Sequence, residues 1–341
     1  MQEQGLNIHR IFNILPHNDV FGGIKSANML VNLLRDQGID AFIATPDGGS
    51  AQWLVKPAPT LTWEAVRRQV EARDILIFNW MPKVAQWPEA GVSIIHARDH
   101  FQEFRGTHRS RYQYWAVSSS VEQRLMQLGI MGKIWRVPSY VDTSIFRPCP
   151  KLAGSVAYMP RRGYNIIADV VRRRSDIVWI PIADKSEGEV AELLGKADLF
   201  LYPTIGIERD GVSASLSSNV FAVFHRMAQR WRMRVDAAGT LTHPHYSPEG
   251  FGLPGLEAMA SGAVLVCFEF GAPYLATGNH LTVTTKTIES TIDLVLSDLV
   301  LTQATRAAAF ETARHWDAAH TWKLLCSALT ECIESMPRSY G

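Results

Sequence analysis

The sequence predicts an α/β fold of two doubly wound domains, each a parallel sheet with helices on both faces. Short apolar runs alternate with longer stretches of helical periodicity from one end of the chain to the other, the order that β-α-β units require. The runs are almost continuous in Val, Ile, Leu and Phe instead of alternating apolar with polar residues, as expected of strands covered on both faces. A length of 341 residues exceeds what one hydrophobic core ordinarily organises, so two domains are expected.

In the first half, strands are predicted at HRIFNIL, DAFIAT, DILIFNW, VSIIHA, YWAVSS and IWRVPS. Between the first two lies GGIKSANMLVNLLRDQG, where Ala27, Leu30, Val31 and Leu34 recur at helical spacing and Gly38 supplies the stop. Ser119 followed by Glu122 is a capping box for a helix over VEQRLMQLG. The stretch SYVDTSIFRPCPKLAG, with its prolines and its shift to polar residues, reads as an interdomain linker. A second series follows at SVAYMP, DIVWIPI, DLFLYPT, AVLVCFEF and LTVTT, with Ser186 and Glu189 as another capping box before VAELLGKA. The expected domains are 1–145 and 146–320, followed by a C-terminal helix over 321–341.

Composition narrows the class of function. The hydrophobic fraction of 47% and charged fraction of 20% are those of a globular protein. A formal net charge of +1 gives no field for general nucleic-acid binding, so no nucleic-acid partner is expected. Cys149, Cys267, Cys326 and Cys332 show neither a CxxC pair nor metal-ligand spacing, and a reducing cytoplasm is the expected compartment. The first residues lack the cationic region and cleavage site of a signal peptide, and no apolar run reaches membrane-spanning length.

Ligands of open α/β sheets sit beyond the carboxyl ends of the strands, and the most informative segment is a loop of that kind, SPEGFGLPGLEAMASGAVLV at 247–266. Gly250, Gly252 and Gly255 permit close backbone approach, Pro254 suits the start of a helix, and free N–H groups there favour phosphate oxygens. Glu249 and Glu257 bracket the loop eight residues apart. A carboxylate is repelled by phosphate, so these two suit sugar hydroxyls on either side of it. A tight turn flanked by solvated or capping glutamates explains the same residues taken singly.

The whole string EGFGLPGLEAMASG closely resembles the E-x7-E signature of retaining GT-B glycosyltransferases of glycosyltransferase family 4. That resemblance implies a GT-B fold, two Rossmann-like domains facing a cleft. It implies that Glu249 lies by the donor sugar, that Glu257 hydrogen-bonds the nucleotide ribose, and that the backbone of Phe251, Gly252 and Leu253 approaches the sugar and diphosphate. VFGGIKSANMLVNLLRDQGID is similar to the family's glycine-rich first loop, which brings Gly22 and Gly23 to the donor. RVPSYVDTSIFRP resembles its linker motif, with Ser139 and Tyr140 in place of the usual Asn and Gly. RHWDAAHTWKLL resembles the start of a C-terminal helix that crosses back toward the first domain.

The remaining candidates follow from position and charge. Arg161 and Arg162, in AYMPRRGYN, are expected to hold the diphosphate and stabilise it as it leaves, in the manner of a subgroup that has YMPRK here. His96 ends the strand VSIIHA, and the resemblance implies that it contacts the donor sugar near the reacting carbon as a catalytic residue, with Arg98, Asp99 and His100 as alternatives for that role. Lys25 is a weaker companion to the glycines, and Asn279 is expected to be structural. No DxD triplet occurs, so neither a metal site nor a cofactor is expected. The donor itself is the nucleoside-diphosphate sugar and the other substrate a hydroxyl acceptor.

About forty residues, 205–246, separate DLFLYPT from the Glu249 loop, more than a plain loop needs. Within them Val220, Phe221, Val223, Phe224, Met227 and Trp231 form an apolar helical stripe, Arg226, Arg230 and Arg234 line another face, and Asn219 suits the N-cap. Such a helix fits packing on the second domain or on a second subunit of a homodimer, and it also fits peripheral contact of 219–235 with anionic lipid. His243 and His245 are brought near the loop. The activity implied is retaining hexosyl transfer. A sugar-nucleotide epimerase and a catalytically inactive nucleotide-sugar-binding partner protein are the alternatives.

Overall fold

The structure is a computed structural model that describes residues 10–79, 87–99, 112–160, 162, 164–203, 206–207, 246–247, 250–268 and 270–334. The chain divides into two compact units. The first comprises Met1–Ile145, Lys185–Glu189 and Arg314–Gly341, and the second Phe146–Asp184 and Val190–Ala313.

The first unit runs β1 (Ile11–Ile14), α1 (Gly22–Asp36), β2 (Ala41–Thr45), β3 (Thr60–Thr62), α2 (Trp63–Gln69), β4 (Ile75–Phe78), β5 (Val92–Ala97), β6 (Gln113–Ala116), α3 (Ser119–Gln127) and β7 (Ile134–Arg136). Its seven strands lie in the order β3-β2-β1-β4-β5-β6-β7, and every ladder is parallel. The apolar runs at β1 and β4 are buried at every position, as strands with both faces covered must be. Strand β3 is too short for periodicity to reveal, and its half-buried Thr-Leu-Thr edges the sheet. Helix α1 buries Ile24, Ala27, Leu30, Val31, Leu33 and Leu34. It stops at Gly38, whose φ of +79° suits the left-handed closure that glycine supplies. The cap of α3 is Ser118, one residue before the expected Ser119, and its Oγ accepts the Val121 N–H at 3.3 Å. Glu122 instead lies 3.4 Å from Arg136 on β7. At the amino end of the sheet, Arg10 grips the fully buried Asp74 carboxylate through Nε at 3.2 Å and Nη2 at 2.8 Å.

The second unit contains β8 (Ser155–Tyr158), α4 (Tyr164–Arg173), β9 (Val178–Pro181), α5 (Glu187–Lys196, whose first residues belong to the first unit), β10 (Leu199–Tyr202), β11 (Gly206–Ile207), β12 (Tyr246–Ser247), α6 (Leu253–Ala260), β13 (Val264–Cys267), β14 (Leu281–Thr282), α7 (Ile288–Ser297) and most of α8 (Leu299–His315). Its five-stranded sheet has the order β14-β13-β10-β8-β9, again wholly parallel. The predicted capping box of α5 forms reciprocally: Ser186 Oγ accepts the Glu189 N–H at 3.4 Å, and Glu189 accepts the Ser186 N–H at 2.8 Å. Strands β11 and β12 pair antiparallel, Gly206 with Ser247 and Ile207 with Tyr246, so the inserted chain leaves and returns at one point. Its interior lies outside the described residues, and with it the expected helix at 219–235, Asn219, Arg226, Arg230, Arg234, His243 and His245. Among the described residues no helix is long and apolar enough to cross a membrane.

Helix α9 (Ala318–Glu334) is part of the first unit's core. Leu325, Ala328, Leu329 and Cys332 are at most 1% exposed, and Trp115 Nε1 points its N–H at Cys332 Sγ at 3.4 Å. Truncating Leu329 removes apolar contacts and leaves a cavity that the rigid sheet cannot close. Leu329→Ala is therefore expected to destabilise the protein by about 2–5 kcal/mol. Chemical denaturation of both proteins checks this, and a difference of only a few tenths would deny α9 its place in the core.

Candidate active site

In a doubly wound sheet a crevice opens beyond the carboxyl ends of the strands where the strand order reverses. In the second unit that point lies between β8 and β10. The loop after β8 carries Met159, Pro160 and Arg162, and the Arg162 N–H closes it on Met159 O at 2.8 Å. The chain that follows β10 returns through β12 to Gly250 and α6. Strand order thus brings the arginine loop and the glycine loop to neighbouring strand ends. Arg161 and Glu249 lie outside the described residues.

The start of α6 is held by side chains that pattern alone does not reveal. Gly252 has φ +73°, and a Cβ there would fall 2.3 Å from Phe270 Cε2, so no other residue fits without displacement. A Cβ on Gly255 would meet the Tyr274 hydroxyl at 2.5 Å. That buried hydroxyl donates to Gly252 O, and the Tyr274 ring meets Phe251 edge-on at 5.5 Å between centroids. Asn279 carries the support further, donating to Tyr274 O and Thr312 Oγ1, both at 2.9 Å. Glycine offers no capping side chain, Pro254 has no N–H, and the Gly255 N–H is taken by Gly252 O at 2.9 Å, so this end of the helix presents the Leu253 N–H. Helix α6 begins at Leu253, and Glu257 lies about one turn further along it. Its residue is 4% exposed, and Phe251 and Leu253 beside it are also buried.

The first unit reverses its strand order between β1 and β4. Helix α1 opens there with Gly22 and Gly23, and Phe21 at the N-cap supplies no side-chain hydrogen bond. A Cβ on Gly22 would meet nothing within 4 Å, and one on Gly23 only Arg98 Cδ at 3.8 Å. Neither the backbone nor the packing requires these glycines. Lys25, expected beside them as a phosphate companion, is buried and pairs with Glu187 at 2.7 Å. The second oxygen of Glu187 accepts the Val55 N–H at 2.8 Å.

A polar cluster lies at the ends of β1, β4 and β5. Asn79 donates to Asn13 Oδ1 at 2.8 Å and to Ile14 O at 3.3 Å, while its own Oδ1 accepts Arg98 Nε. His96 is 2% exposed, with Nε2 at 2.9 Å from Val137 O and Nδ1 at 3.1 Å from Arg98 Nη2. A guanidinium only donates, so Nδ1 is the accepting nitrogen and Nε2 carries the proton toward Val137. Burial, with the Arg98 charge adding to it, holds His96 well below the usual imidazole range. Both ring nitrogens are thus engaged inside the unit. Asp99 is exposed, and His100 lies outside the described residues. A separate groove of about 820 Å³ between α1 and α9, lined by Leu33, Trp322 and Cys326 among others, shares no residue with these sets.

No protein-family model matches the chain, and no curated protein does. Solved structures define its class of fold, the two-domain, Rossmann-like α/β arrangement of GT-B glycosyltransferases. Anabaena HepE in complex with UDP and glucose superposes with a TM-score of 0.64 at 12% identity, over 95% of this chain and all (100%) of that one. A glycosyltransferase from Rickettsia africae ESF-5 gives 0.62 at 13% identity, over 96% and 100%. Sucrose-phosphate synthase from Thermosynechococcus elongatus gives 0.59 at 11%, over 95% and 100%.

The two glycine positions make opposite demands on the fold. Gly252→Ala forces a left-handed φ and a clash with Phe270, and is expected to cost about 2–4 kcal/mol of stability. Gly22→Ala fills open space at a helix start, where Ala is favoured over Gly by up to about 1 kcal/mol, and should leave stability unchanged or higher. Thermal unfolding of the two variants separates the cases. Equal losses at both positions would contradict the geometry.

Proposed function

We propose that the chain is a retaining glycosyltransferase that moves a hexosyl group from a nucleoside-diphosphate sugar to a hydroxyl acceptor. The observation that carries this is the start of α6, where a glycine turn locked under Phe270 and Tyr274 leaves the Leu253 N–H about one helical turn from the buried Glu257. An oxyanion suits the first feature and a ribose diol the second. The shared fold supports the reading, as do the UDP and glucose bound to HepE.

In this mechanism the diphosphate lies on the α6 N-terminus with Arg161 and Arg162, Glu257 accepts hydrogen bonds from the ribose, and Glu249 faces the sugar. The bond from the anomeric carbon to the diphosphate oxygen breaks as the acceptor oxygen bonds to the same face. The acceptor's proton passes to the departing oxygen. Arginines and helix N–H groups stabilise the charge that develops there, and preorganised stabilisation of this kind dominates the rate enhancement of many enzymes. Gly22 and Gly23 serve close approach of the ligand to α1. This explains glycines for which the fold has no use.

Glu257→Ala is expected to weaken binding of both the free nucleoside diphosphate and the sugar nucleotide, by about tenfold to a hundredfold, the loss of charge-assisted hydrogen bonds. Gly22→Ala should keep its fold yet lose affinity and transfer. Calorimetry with the preferred donor, and mass detection of glycoside on a panel of hydroxyl acceptors, read both effects. Acceptor-free isomerisation of the sugar nucleotide, or wild-type affinity in both variants, would contradict the proposal.

A further inference from the structure

We propose that Arg98, rather than His96, is the residue with which the first unit meets its ligand, and that the group it recognises is an oxyanion lying against the start of α1. The inference deepens the proposed function and rests on it.

Among the described residues, Arg98 differs from three arginines that face carboxylates and from Arg67, which lies over the Trp63 and Trp87 rings. Arg10 pairs with Asp74, Arg174 with Asp176 and Asp293, and Arg306 with Asp198. Arg98 is held only by neutral groups, Asn79 Oδ1 at its Nε and His96 Nδ1 at its Nη2. Its Nη1 is shielded from solvent and has no partner. The Nδ2 of fully buried Asn13, in the same cluster, also has none. Asp99, the next residue, is exposed and forms no ion pair with it among the described residues.

Neutral acceptors do not offset the desolvation of a guanidinium, whereas an oxyanion does. Burial lowers the Arg98 pKa to about 9, which still leaves the group charged at neutral pH. Its partners hold it rigidly: Asn79 is tied to Asn13 and Ile14, and His96 to Val137 and edge-on to Trp115. His96 therefore orients Arg98 and offers a ligand no free nitrogen.

Position adds an independent reason. The Arg98 side chain passes 3.8 Å from where a Cβ of Gly23 would lie, at the uncapped start of the 15-residue α1. The aliphatic stem of Arg98 thus passes the start of α1, whose N–H groups add positive potential beside glycines that leave the space open. Lys25 does not share the task, because Glu187 neutralises it.

The oxyanion belongs either to the donor's diphosphate or to an acidic group on the donor's sugar, and one set of titrations distinguishes them. Full-length wild type and Arg98→Gln are titrated calorimetrically with pyrophosphate, UDP, UDP-glucose and UDP-glucuronate, and with the GDP, ADP and dTDP diphosphates in case the base differs. If the diphosphate is recognised, Arg98→Gln weakens pyrophosphate and the preferred diphosphate by about 10- to 100-fold, and Arg98→Lys recovers part of the loss. If an acidic sugar group is recognised, pyrophosphate affinity is unchanged and only the preference for glucuronate over glucose collapses. Either result supports the proposal. Should Arg98→Gln fail to fold, the Nε–Hε signal of Arg98 in ¹⁵N-labelled wild type is followed during pyrophosphate and UDP-glucuronate titrations, and a saturable shift is expected. A folded Arg98→Gln with wild-type affinity for every probe, or a signal that no probe moves, overturns the proposal. If Glu257→Ala weakens diphosphate binding while Arg98→Gln does not, the Arg98 assignment alone fails. A wild type that binds none of the probes overturns both it and the function on which it rests.

Discussion

A parallel strand buried on both faces can expose chemistry only at its ends, and the rest of this structure follows from that constraint. Strands β1, β4, β8, β10 and β13 are buried at every position, so their sides carry packing and little else. Parallel pairing then collects the loops into helices on one edge of each sheet. Reversal of strand order, between β1 and β4 and between β8 and β10, separates two such loops and leaves room for a ligand. Gly22, Asn79 and Arg98 lie at one reversal, and Arg162, Gly252 and Glu257 at the other.

Holding those loops in place costs local stability. A left-handed Gly252 beneath two aromatic rings, glycines at a helix start where alanine would be better, and a guanidinium without a carboxylate are each locally unfavourable. Such departures from local consistency concentrate where a protein binds something. They recur here at both strand reversals, whereas Arg10 and Arg174, remote from them, face carboxylates and Arg67 lies over two tryptophan rings.

Much of the fold was legible because buried parallel strands leave an unmistakable signature in Val, Ile, Leu and Phe runs. Gly38 and the Ser186–Glu189 box were legible because helix ends use local chemistry. The limits were physical too. Strand β3 is three residues long, below the span over which a period can be recognised. The cap of α3 moved to Ser118 because Ser118 and Ser119 are chemically equivalent and only backbone geometry chooses between them. Lys25 read as a companion to the glycines because its partner Glu187 is far away in sequence, and ion pairs across such distances have no local trace. His96 and Arg98 were both candidates at the end of β5. Which of them has a nitrogen to spare depends on Val137 and Asn79, contributed by other parts of the chain. Tyr274, whose hydroxyl secures Gly252, had no signal beyond being a tyrosine in a loop. Glu249, which opens the glycine-loop motif, and Arg161, in the loop after β8, lie outside the described residues.

The proposed function depends on the start of α6 as the seat of a nucleoside diphosphate. Thermal unfolding of the wild-type protein with UDP, GDP, ADP or dTDP, each beside its parent nucleoside at equal concentration, tests it most directly. A ligand that binds only the folded state raises Tm with concentration according to its affinity. One diphosphate should therefore raise Tm in a saturable way while its nucleoside raises it far less. Equal shifts from nucleoside and diphosphate, or no shift from any diphosphate, would contradict the account.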